Sequence, residues 1–252
     1  MKKTQVLSGN ALKIIAAIAM TFDHVGLMFF PQAIWMRAIG RLAFPIFAFM
    51  IAEGARYTRS RLRYFLSVFL LGAGCQLVYY FFSGDTYMNI LLTFSVSILL
   101  IYELQEFKRA FFDKRSKKYE APLIGAAFLL SVLGVYFLMK RVDFDYGSVG
   151  CMIPVAASLP DLRRTEAPKN ILRYDTTLTR TICLMLAVAF HAVLYYINKS
   201  NAVQLFALVG AGLILLYSGE RGSPRLKYFF YVFYPVHLAV LEGIYLLIRV
   251  VL

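Results

Sequence analysis

The apolar stretch KIIAAIAMTFDHVGLMFF, residues 13–30, contains three ionisable side chains, Lys13, Asp23 and His24. Such a group in hydrocarbon costs roughly 2.5–3.5 kcal/mol on insertion scales, so it is expected to serve a purpose. The eleven residues from Lys13 to His24 make almost three turns of a helix with 3.6 residues per turn. Lys13, Ala17, Met20 and His24 therefore share one face, about 16 Å long. That face predicts a narrow polar track, with a cation at one mouth to hold an anion. The imidazole lies deeper, where it can act as base, ligand or proton carrier.

Asp23 is adjacent to His24, and neighbouring helical side chains point about 100° apart, so it is not placed to orient the imidazole. The expected partner of Asp23 is Arg41, from RAIGRLAFPIF, which enters the membrane from the same side and would neutralise it. Pro45 removes the backbone bond to the Arg41 carbonyl, and Pro235 removes the one to Tyr231. His237 follows Pro235 within a turn and, counted inward from Lys227, reaches mid-helix at the depth of His24. Glu53 and Arg56 lie near the opposite mouth, as a boundary pair or as donor contacts. Asp23, His24 and His237 show no HExxH or His-x-His spacing, so no metal is expected.

These residues need membrane helices to position them. The 252 residues are 60% hydrophobic and 16% charged, against about 25% charged in soluble domains. About nine (8–10) membrane-spanning helices are expected, at 11–30, 37–55, 63–82, 87–105, 121–139, 146–160, 180–197, 202–218 and 227–249. The sixth is short, contains Pro154 and is expected to be broken or re-entrant. The fold class is thus an all-α polytopic integral membrane protein, one membrane-embedded domain over residues 1–252. Basic residues are biased, with 20 of the 27 in alternate loops that include Lys2, Lys3, Lys108 and Arg180. The bias puts the N-terminus in the cytoplasm. It accounts for the net charge of +13 through anionic lipid rather than nucleic acid. Cys75, Cys151 and Cys183 lack CxxC spacing and read as helix-packing residues. The N-terminus imitates a signal peptide without a cleavage site and reads as an uncleaved first span.

ALKIIAAIAMTFDHVGLMFFP, RAIGRLAFPIFAFMIAEGARYTRS, DYGSVG, LLYSGERG and LKYFFYVFYPVHL occur in that order. Together they resemble the TraX family, named for a conjugation protein associated with N-terminal acetylation of F-pilin. The resemblance implies a distant relation to acyltransferase-3-like membrane enzymes, which typically carry a basic residue, ten intervening residues and a histidine in the first span. Lys13 and His24 fit that spacing, with lysine where those relatives have arginine. It implies transfer of an acetyl or other acyl group from cytoplasmic acetyl-CoA to an amine or hydroxyl of a pilin, glycan or small molecule. His24 would act as general base or transient acyl carrier, with Asp23, Arg41 and His237 in the catalytic group and Lys13, Glu53 and Arg56 toward the donor. The expected location is the bacterial cytoplasmic membrane, with the lipid bilayer and acyl-CoA as partners. Two alternatives remain: a proton-coupled transporter or flippase, and a non-catalytic part of an envelope or conjugation assembly.

Overall fold

The computed structural model describes residues 6–84, 86–223 and 225–251. Lys2 and Lys3, two of the basic residues that set the expected orientation, lie outside the described residues. Hydrocarbon offers no partner for backbone N–H and C=O groups, so an apolar chain must pair them within each segment. The described residues accordingly form helices, joined by short turns and two isolated β-bridges.

The first helix, α1 (Gly9–Met28), starts at Ser8, whose hydroxyl accepts the Ala11 amide at 3.2 Å. Then come α2 (Ile34–Gly40), α3 (Ala43–Tyr57), α4 (Arg61–Ser83), α5 (Ile90–Phe112), α6 (Glu120–Arg141) and α7 (Gly147–Ser158). After them lie the four-residue α8 (Lys169–Leu172), α9 (Thr177–Lys199), α10 (Ala207–Leu213) and α11 (Leu226–Val251). Among the described residues, seven helical segments are long and apolar enough to cross a membrane, with α2 and α3 counted as one. The protein is therefore an all-α polytopic membrane protein.

All nine expected segments correspond to helical elements, with two differences in detail. The second bends at Arg41 and Leu42, between α2 and α3. Pro45 falls in the first turn of α3, where its missing N–H breaks no intrahelical bond. The sixth and eighth are too short to span: α7 has 12 residues, and α10 is seven residues flanked by 3₁₀ turns.

Packing divides the chain into two compact units, one of residues up to 50 with residues 188 onward, the other of residues 51–187. In the second, α5 turns Thr93, Ser97 and Gln105 inward. Ser97 donates to the Cys151 carbonyl at 2.8 Å and Thr93 to the Asp145 carbonyl at 2.9 Å, so hydroxyls join α5 to α7. The outer faces of α6 stay largely exposed, as suits contact with lipid tails.

Candidate functional site

The first unit begins with the placement of α1. The first amides of a helix have no intrahelical acceptor. Here Gly9 and Asn10 donate to the carbonyls of Glu220 and Arg221 at 2.8 and 3.0 Å. Gly222 allows this with φ +83°, and a Cβ there would meet Ser8 Oγ and Asn10 at 3.0 Å. The segment YSGERG thus engages α1 through its backbone, and the Glu220 side chain stays exposed.

At the other end of α1, His24 meets His237 of α11, with Nδ1 of His24 3.1 Å from Nε2 of His237. The rings stack with centroids 5.2 Å apart, and Phe233 lies almost parallel to His237 at 4.9 Å. The Nδ1 of His237 lies 2.9 Å from the Phe233 carbonyl. A carbonyl only accepts, so that nitrogen carries a proton. In the neutral ring Nε2 must then accept, and Nδ1 of His24 donates to it. His24 is left with an unprotonated Nε2, a lone pair with no hydrogen-bond partner among the described residues.

Asp23 turns to the opposite neighbour. Its carboxylate takes Arg41 at 3.1 Å, as expected, and also Arg37 at 3.0 Å. Arg37 was not singled out from the sequence, although it lies one helical turn before Arg41. Gly40 makes the approach possible, because a Cβ there would overlap the Asp23 side chain. Two guanidinium groups on one carboxylate leave the cluster one net positive charge when all three are ionised.

Lys13 sits over the Phe230 ring at 5.5 Å, a cation–π contact, and makes no ion pair among the described residues. The cavity along α1 differs from the predicted polar track. It holds about 350 Å³ and is lined by Ile14, Ala17, Ile18 and Phe22 of α1, with Phe229 and Phe233 of α11. Thr21 also lines it, but its hydroxyl is spent on the Ala17 carbonyl at 3.0 Å. Of the predicted face, only Ala17 lines the cavity. Lys13 and His24 turn instead to aromatic and imidazole rings of α11. Phe233 connects the groove to the histidine pair, since it lines one and stacks on the other.

The second unit holds the remaining expected residues, Glu53 and Arg56, in a network. They do not pair with each other. Arg56 bridges Asp161 at 2.7 Å and Asp175 at 2.5 Å, and Glu53 pairs with the buried Arg180 of α9. Lys108 donates to the carbonyls of Ser158 and Asp161 at 2.8 and 2.6 Å, with Leu159 at 3.4 Å. Its three N–H groups thereby cap the end of α7, where carbonyls lack partners. Asp175 also accepts the Leu162 amide at 3.1 Å, so the α7–α9 connection is pinned to α3 and α5. Lys108 and Arg180, counted among loop cations from the sequence, are buried within helices. Asp161, Asp175 and Arg180 carried no local signal, because their partners lie 105, 119 and 127 residues away.

The stretch DFDYGSVG starts α7, with Tyr146 and Gly147 at φ 61° and 57°. Tyr87 donates to Asp145 at 3.2 Å, and burial together with that carboxylate pushes the phenol pKa up. The three cysteines are free, with Cys75 and Cys151 buried in helices. Among the described residues no three imidazole, thiol or carboxylate groups converge as metal ligands would.

The family model described as TraX protein matches residues 8–245. A probable fimbrial assembly protein, FimC of Dichelobacter nodosus, is 27% identical over 262 residues, covering 93% of this chain and 94% of the relative. An uncharacterised protein of Rickettsia prowazekii (strain Madrid E) is 52% identical over 40 residues, 16% of each chain. No solved structure matches the chain.

Proposed function

The chain belongs to the TraX family, and from that premise we propose that it is a membrane acyltransferase using acyl-CoA, with His24 as general base. The observation that carries the reading is the directed imidazole pair. The Phe233 carbonyl fixes the tautomer of His237, His237 fixes that of His24, and Nε2 of His24 remains to take a proton.

An acceptor amine or hydroxyl attacks the thioester carbonyl while its proton passes to Nε2 of His24. The tetrahedral intermediate collapses, the carbon–sulfur bond breaks, and the imidazolium returns the proton to the departing thiolate. The net positive cluster of Asp23, Arg37 and Arg41 stabilises the developing oxyanion. Lys13, backed by the nearby charge of Arg221, holds donor phosphate at the cytoplasmic mouth. The apolar groove suits the hydrocarbon part of the acyl group better than the amide-rich pantetheine arm, and Phe233 must shift for the two to meet. Glu53 and Arg56 are occupied by ion pairs within their own unit. The relative's name, a fimbrial assembly protein, points to the terminal amine of a pilin-type subunit as acceptor. We place the protein in the bacterial cytoplasmic membrane with its N-terminus inside.

A second reading shares the same observation, since two imidazoles bonded through one proton also make a relay for a proton-coupled transporter. Vesicles carrying the protein, mixed with labelled acetyl-CoA, separate the two. The enzyme transfers or slowly hydrolyses the acetyl group and loses about 10²–10⁴-fold in rate as His24→Ala. Release that is absent, or unchanged in that variant, refutes the acyltransferase.

A further inference from the structure

The loop between α5 and α6 reads DKRSKKY, residues 113–119, and joins two helices that are each long and apolar enough to cross a membrane. A cavity of about 420 Å³ lies against it. Phe107 and Phe111 of α5 and Pro122 of α6 form its apolar side, and Lys117 and Lys118 its polar side. Lys114 and Arg115 add two further cations in the same loop, and all four are exposed.

The neighbouring acids, Asp113 and Glu120, offset two of these four charges and leave an excess of two positive charges. Asp113, which also lines the cavity, accepts the Arg115 amide at 2.8 Å, and Glu120 accepts the Lys117 amide at 3.3 Å. Both carboxylates close turns of the backbone, and among the described residues none of the four cations makes an ion pair. Glu106, the next acid along α5, is taken by Arg61 and Arg109. Exposed apolar surface continues from the cavity, with Phe111 at 63% and Leu123 at 66% exposure.

We propose that this cavity is a binding site for an anionic glycerophospholipid of the phosphatidylglycerol type. The lipid phosphate sits between Lys117 and Lys118, and the glycerol and upper acyl carbons lie against Phe107, Phe111 and Pro122. The pairing follows from charge and polarity together. A choline lipid brings its own cation to the lysines, and a free phosphate makes no use of the apolar side. Basic cavities between membrane helices hold anionic head groups for this reason, each cation near the surface contributing separately. The site belongs to the second unit and is independent of the acyltransferase reading.

Native mass spectrometry of the full-length protein in detergent, given equal phosphatidylglycerol and phosphatidylcholine, tests the proposal. The expected result is retention of the anionic lipid about tenfold above the neutral one. The ratio should fall to near one in the Lys117→Gln/Lys118→Gln double variant and persist in Lys117→Arg/Lys118→Arg and in Lys199→Gln. Helical circular dichroism reports that each variant is folded. Equal retention of the two lipids by the native chain overturns the proposal, as does an unchanged ratio in the glutamine variant or an equal loss in Lys199→Gln. Displacement by glycerol 3-phosphate alone also overturns it, because a bare anion would then suffice.

Discussion

The two units treat ionisable side chains in different ways. In residues 51–187 the buried charges are held by partners: Arg56 spans two aspartates, Arg180 holds Glu53, and Lys108 directs its N–H groups to backbone carbonyls. In the other unit the two histidines bond each other and leave one ring nitrogen over. A buried group whose hydrogen bonds are filled resists change and holds a segment in place. A neutral imidazole with a spare lone pair can exchange a proton. The comparison separates a clamp from a reactive pair, although both are polar groups within apolar helices.

The contrast predicts effects of different kind. Glu53→Ala takes the carboxylate away from a buried guanidinium and should cost about 3–5 kcal/mol, read as a lower thermal midpoint in detergent. Replacing both partners, Glu53→Leu with Arg180→Leu, should recover most of that loss. A normal midpoint with impaired acyl-CoA use in Glu53→Ala would move Glu53 from clamp to site. In the other unit His237→Leu should slow acetyl release by about tenfold with little change in midpoint, because only the orientation of His24 is lost. His237→Gln, whose amide oxygen can still accept from Nδ1 of His24, should restore much of the rate. Equal rates in the two variants would remove His237 from the relay. Lys13→Gln should have the smallest effect, a rise of a few-fold in KM for acyl-CoA at unchanged kcat, since it touches only uniform binding of the donor. A fall in kcat instead would place Lys13 closer to the reacting atoms.

Particular residues show why some of this was legible beforehand. His24 and His237 could be matched in depth by counting from their helix ends, and the structure brings them together. The pairing of Asp23 with Arg41 followed from the cost of leaving either charge alone in hydrocarbon. Arg37 was missed although it shares the helix of Arg41, because a charge near a helix end reads as an orientation signal. The polar track failed for a rotational reason. Three turns of shared face say nothing about which rings the neighbouring helix lays over it. In this molecule Phe230 covers Lys13, His237 takes His24, and the open groove falls on the adjoining apolar stripe.

The sequence by itself determined that this chain is a bundle of membrane helices. Apolar segments of that length cannot leave their backbone unpaired in lipid, and the local repeat needs no knowledge of neighbours. It also determined which side chains would be expensive to bury. Only the tertiary structure decided how each cost is met: Arg180 by Glu53, Arg56 by two aspartates more than a hundred residues away, and one imidazole by another across 213 positions. Those choices depend on helix rotation and packing, which a periodicity of 3.6 residues leaves open.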